Sequence, residues 1–236
     1  MATAGLKQLA ADFIGLFFPK LCAACNGHLL RGEEAICTSC LLELPRTHDE
    51  LNPTDNPAIR VFWGRLRLQS AAACFVFIKG GKVRELVHQL KYNGRQDAGI
   101  AAGKLFGSDL KNLTPFNTID AVVPVPLHED KLRKRGYNQA ACFAEGIAQA
   151  LNVPHYPEAL RRLSATESQT RKSRTERWDN VEDVFALNEG TDLRGKHILL
   201  VDDVITTGAT IEAAASPLLA SEGAMLSVVS LASARE

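Results

Sequence analysis

Short apolar runs alternate along this chain with longer segments whose apolar residues recur at helical spacing. Residues 71–78 (AAACFVFI) form a strand-length apolar run that ends in the Gly80-Gly81 turn. Val83, Leu86, Val87 and Leu90 then recur at three- and four-residue steps. That predicts an amphipathic helix stopped near Gly94. Further along, the pattern predicts a helix over 100–111, a buried strand over 119–126 and a helix over 140–151. It then predicts a strand over 197–201, a helix over 209–222 broken at Gly223, and a strand over 226–231. Residues 46–60 are polar, contain Pro53 and Pro57, and read as a linker. This alternation argues for an α/β architecture with a mostly parallel sheet covered by helices.

At the N-terminus, Leu6, Leu9, Ala10, Phe13, Ile14 and Phe17 lie at helical spacing, interrupted by Lys7 and Asp12. We expect a short amphipathic helix packed on its own protein, with a partner-binding or membrane-surface helix as the alternative. There is no basic start followed by a clean apolar core and cleavage site. No run approaches the roughly 18 apolar residues of a membrane span, so a cytoplasmic protein is expected. The 236 residues carry 27 basic and 27 acidic side chains. That balance supplies no global attraction to nucleic acid or membrane.

Four of the six cysteines fall as Cys22-x-x-Cys25 and Cys37-x-x-Cys40, with eleven residues between the pairs. Two such knuckles point four thiolates at one ion, the arrangement of a closed structural zinc site. Two disulfides, a redox pair and an iron–sulfur cluster are the competing readings. Cys74 and Cys142 sit in apolar surroundings and are expected to be core residues. The domain division expected is 1–50 for the N-terminal helix and cysteine module, and 61–236 for the α/β domain.

The chemistry concentrates in residues 197–210, HILLVDDVITTGAT. The apolar run 198–201 leads into adjacent carboxylates, Asp202 and Asp203, and then into Thr206, Thr207, Gly208, Ala209 and Thr210. Open α/β sheets place ligands at the carboxyl ends of their strands. A glycine-containing loop feeding a helix N-terminus cradles a phosphate. Two carboxylates accept hydrogen bonds from two ribose hydroxyls, directly or through magnesium. A second segment follows the strand ending at Pro126: His128, Lys131, Arg133, Lys134 and Arg135 offer donors for pyrophosphate, or form a solvated basic turn. A third, residues 168–181, carries Arg171, Arg174 and Arg177. It reads either as a basic flap closing over phosphates or as the exposed face of a charged helix.

VDDVITTGAT resembles the 5-phosphoribosyl-1-pyrophosphate (PRPP) loop of the type I phosphoribosyltransferase family. The resemblance implies that fold, with Asp202 and Asp203 on the ribose, residues 206–210 on the 5-phosphate, and magnesium accompanying PRPP. The cysteine module, LKYNGR, PVPLH, RGYNQ, SQTRKSRTERWDNV and VDDVITTGAT occur in this order across nearly the whole chain. In that order they resemble the ComF family, phosphoribosyltransferase-like proteins linked to DNA uptake and utilisation. The resemblance implies that 124–139 covers the pyrophosphate loop and 168–181 the flexible loop.

The VPVP strand is also similar to that of amidophosphoribosyltransferases, but the sequence begins Met1-Ala2-Thr3 where those enzymes carry a cysteine. A glutamine-cleaving half-reaction is therefore not expected. Thr206 stands where purine-salvage members carry an acid, which argues against that role. Two functions remain. One is an enzyme in which a nucleophile displaces pyrophosphate at C1 of PRPP. The other is a non-catalytic module binding a nucleotide or single-stranded DNA, with the cysteine module docking a DNA-uptake partner. Tyr92, Tyr137 and Trp178 beside Arg95, Arg135 and Arg177 are compatible with the second. The acceptor and the oligomeric state are left open.

Overall fold

The computed structural model describes residues 19–163 and 184–234. The amphipathic helix expected before residue 18 and the basic segment 168–181, with Arg171, Arg174 and Arg177, lie outside the described residues. Four parallel strands form the central sheet: β1 (Ser70–Phe77), β2 (Ala121–Pro124), β5 (His197–Ile205) and β6 (Met225–Ala234). Their spatial order is β1-β6-β5-β2. A separate antiparallel pair, β3 (Leu160–Arg162) and β4 (Phe185–Leu187), brackets the segment between them.

Successive residues of β5 enter opposite cores. Ile198 and Leu200 join one, Leu199 and Val201 the other, and all four are fully buried. That is why the strand reads as an unbroken apolar run and not as an alternation. The first face is covered by α3 (Lys82–Tyr92), α4 (Gln96–Leu110) and α6 (Gln139–Leu151). The second is covered by α2 (Pro57–Arg60) and α7 (Ala209–Leu219). Helices α4 and α6 approach closely through glycines. A Cβ at Gly103 would lie 2.1 Å from the Phe143 carbonyl oxygen, and one at Gly146 would lie 2.1 Å from that of Ile100.

Several expectations change. Strand β5 does not stop at Val201 but runs to Ile205, because pairing with β6 continues through Val204 and Ile205. The basic turn after Pro126 contains a helix, α5 (Glu129–Arg135), capped by the His128 ring on the Asp130 amide at 3.2 Å and ended by Gly136 at φ 79°. Residues 46–60 are not a free linker. Pro45 and Thr47 pair with Val76 and Cys74 along the outer edge of β1, and Pro53 accepts from the Ala71 amide. Asn56 is buried, donates to the carbonyls of Asp49, Asn52 and Ala71, and caps α2 through the Ile59 amide. This strap covers an edge that would otherwise pair with other chains. Pro154 and Tyr156 cover the opposite edge by pairing with Val122.

At the amino end of the sheet a buried polar chain crosses three strands. Ser70 Oγ donates to Ser227 Oγ at 2.7 Å, and Ser227 lies 2.8 Å from His197 Nε2. His197 Nδ1 lies 2.8 Å from Thr118 Oγ1, whose hydroxyl is committed to the Pro115 carbonyl. These partners fit a neutral ring, with Nδ1–H donating to Thr118 Oγ1 and Nε2 accepting from Ser227. Burial lowers the basicity of His197, and of His155. A base with a lowered folded pKa binds fewer protons folded than unfolded, so its contribution is intact above the unfolded value and lost below it. We therefore expect the melting temperature to fall as pH drops below about 6.5. His197→Gln should lose about 1–3 kcal/mol at pH 8 and show a shallower acid slope in thermal melts. An unchanged slope would contradict the assignment.

Candidate functional site

Strands β2 and β5 are neighbours, and the chain leaves them toward opposite faces of the sheet, from β2 through α5 to α6 and from β5 to α7. The chain therefore diverges at their carboxyl ends and leaves a crevice, the place where open α/β sheets bind ligands. A cavity of about 180 Å³ occupies it. Asp202 and Asp203 stand at one side; Lys131, Arg135 and His128 line the α5 side; Lys91 and Arg162 complete the ionic lining. A smaller hollow of about 30 Å³ adjoins it, lined by Asp202 and residues 204–211. Thr210 borders both.

The smaller hollow has the local geometry that suits an anion. Gly208 sits at φ 78° as the cap of α7, a conformation that disfavours any residue with a Cβ. Its back is against protein: a Cβ there would meet Phe62 at 2.6 Å and Val61 at 2.8 Å. Thr206, Thr207, Ala209 and Thr210 are exposed around it. The first turn of α7 has amide donors with no intrahelical acceptor, and the dipole adds positive potential. Arg65 braces the loop from outside. Its guanidinium donates to the Thr207 carbonyl at 2.8 Å, contacts Glu212 at 3.0 Å and also reaches the Val61 carbonyl.

The two carboxylates differ. The Asp203 side chain is held by Lys91 Nζ at 2.6 Å. Asp202 receives its neighbour's backbone amide at 2.8 Å. Burial, together with the negative charge of Asp203, pushes Asp202 up to about 7 against the opposing pull of that amide and of Lys91.

On the far side, Asn138 caps α6 through the Ala140 amide at 3.1 Å and ties back to the Val125 carbonyl at 2.9 Å. Arg135 is set by Gln139 at 2.6 Å and lies 5.4 Å over the Tyr92 ring. Arg133 does not face the cavity. It is exposed and pairs with Asp130 and Glu129 of its own helix. Tyr137 is also committed, through its hydroxyl to the Leu90 carbonyl. Sequence reading assigned no role to Lys91, Arg65 or Arg162. Lys91 follows the last buried residue of an amphipathic helix, a position from which a long side chain reaches over the sheet end. Nothing in the local pattern marks Arg65 or Arg162.

The sulfurs of Cys22, Cys25, Cys37 and Cys40 all lie within 4.8 Å of one another. Backbone amides of Ala24, Gly27, Cys37 and Cys40 point at these sulfurs at 3.3–3.4 Å. Burial opposes ionisation of Cys22, yet donated amides bring it down to about 7. Cys40 is driven up by burial and by its neighbouring thiols. Four sulfurs at this spacing suit a tetrahedral ion such as zinc. The module shares a core with the sheet domain, and Arg95 donates to the Leu21 and Ala35 carbonyls across the junction. Among the described residues, no helix is long and apolar enough to cross a membrane.

The phosphoribosyl transferase domain family matches residues 138–235. The chain is 28% identical over 216 residues to the DNA utilization protein YhgH of Escherichia coli K12, covering 88% of both. It is 29% identical over 204 residues to the competence protein ComFC of Bacillus subtilis, covering 81% of this chain and 80% of that one. Among solved structures, the glutamine PRPP amidotransferase of B. subtilis aligns with 59% of this chain and 30% of its own, at 19% identity and a TM-score of 0.39. The chain is thus a homologue of the DNA utilization protein YhgH and the competence protein ComFC that combines a phosphoribosyl transferase domain with an N-terminal four-cysteine cluster.

Proposed function

We propose that the crevice binds PRPP with a divalent cation, the 5-phosphate in the 206–210 loop, the ribose diol on Asp202 and Asp203, and the pyrophosphate toward Lys131 and Arg135. One observation carries this reading. An anion cradle and a cluster of cations flank an acidic pair across a single crevice. A ligand filling it needs two anionic ends and a hydroxyl-bearing middle, which describes a sugar phosphorylated at both ends. Carboxylates at the crevice suit an oxygen-seeking dication. Asp202 and Asp203 would hold magnesium with the ligand's own oxygens, and the ion would neutralise charge on the pyrophosphate.

The reaction such a site supports is displacement of pyrophosphate at C1. The protein's part is orientation and charge stabilisation. The acidic pair holds the ribose, the loop fixes its 5-phosphate, and Lys131 and Arg135 offset charge on the departing pyrophosphate. No side chain lining the crevice is needed as a covalent nucleophile. The DNA link carried by the relatives' names points to partners outside this crevice. Deoxyribose lacks the vicinal diol that two adjacent carboxylates would read.

Isothermal titration tests the ligand. Wild-type protein should take up PRPP in the presence of magnesium, and Asp202→Asn/Asp203→Asn should weaken it about tenfold or more. No heat for the wild type, or equal heat for both, would sink the reading. For the cysteine module we propose one structural zinc per chain. Metal analysis should find it, and stripping it with a strong chelator should lower the melting temperature by about 5 °C or more. A metal-free protein as stable as the native one would count against a structural zinc.

A further inference from the structure

Lys91 places a positive charge where the proposed ligand needs a negative one to be free. Its ammonium lies 2.6 Å from Asp203 inside the crevice. The backbone that carries it is fixed: Leu86, Val87 and Leu90 of α3 are buried in the core, and Tyr137 holds the Leu90 carbonyl. The charge is carried from that backbone on a four-carbon stem. Across the cavity, Lys131 and Arg135 make no ion pair among the described residues. The site is therefore polarised. Its acidic side is neutralised from within, while its basic side awaits an anion.

We propose that Lys91 is the resident counter-charge of the acidic pair, holding Asp203 until a phosphorylated ligand arrives, so that a divalent cation enters with that ligand and not before it. An ammonium and a dication compete for the same carboxylate, and at short range either charge strongly disfavours the other. A polyanion changes the balance, because it gives Lys91 phosphate oxygens to turn to. Lysine suits this exchange better than arginine, as a compact charge on a flexible stem. The consequence is an ordered site in which an empty crevice rejects the cation. This rests on the crevice being a phosphoribosyl site, but its first test needs no PRPP.

The experiment measures Mn²⁺ binding to the intact chain by the loss of the free-ion paramagnetic resonance signal, without any phosphate compound. Lys91→Met should bind Mn²⁺ about tenfold more tightly than the wild type. Lys91→Arg should match the wild type, and adding Asp203→Asn to Lys91→Met should abolish the gain. PRPP should then raise the Mn²⁺ affinity of the wild type more than that of Lys91→Met. Circular dichroism checks that the variants fold, and Lys91→Gln replaces Lys91→Met if that one does not. Equal Mn²⁺ affinity in the wild type and the charge-free variant would overturn the proposal. If the variant gains Mn²⁺ affinity but the wild type takes up no PRPP, the counter-charge stands and the ligand assignment falls.

Discussion

The structure depends on one strand that is buried on both faces and yet ends in two carboxylates. Strand β5 pairs in parallel with β2 on one side and β6 on the other. Burying Ile198, Leu199, Leu200 and Val201 completely contributes about 1.5–3 kcal/mol for each side chain. That apolar anchoring fixes the position of the next two residues. Asp202 is held at a sheet end where desolvation and the neighbouring charge of Asp203 oppose its ionisation. The tension is resolved by the Asp203 amide, by Lys91, and by whatever ligand fills the crevice.

Much of this was legible in the sequence, for reasons that individual residues make plain. A doubly covered parallel strand leaves an unbroken apolar run, so 198–201 announced itself. The cysteine spacing determined a cluster without any knowledge of the surrounding fold. What could not be read was long-range. The extension of β5 through Ile205 depends on its pairing partner, and pairing is not written in the local pattern. The strap over 46–60 looked like a linker because its polar residues are satisfied by strand edges far along the chain, as Asn56 is by Ala71. Lys91 and Arg65 reach Asp203 and Thr207 from helices and turns more than 100 residues earlier.

Charge is laid out unevenly across the crevice, with Asp202 and Asp203 on one side and Lys131 and Arg135 on the other. Asp203 is paired with Lys91, Lys131 and Arg135 have no ion pair among the described residues, and the 206–210 loop adjoins the acidic pair. Arg133 and Tyr137 show that proximity in sequence did not decide which donors face inward. Helix α5 turns Arg133 outward to its own acids, and the hydroxyl of Tyr137 secures α3. The cysteine module is built into the same core that carries α3, the helix from which Lys91 projects.

The most direct test of the account is the crystal structure of the protein soaked with PRPP and magnesium. The account predicts the 5-phosphate against residues 206–210, both ribose hydroxyls facing Asp202 and Asp203, the pyrophosphate beside Lys131 and Arg135, and Lys91 released from Asp203. Density for PRPP elsewhere on the molecule, or in the crevice with its ribose turned away from the acidic pair, would contradict it.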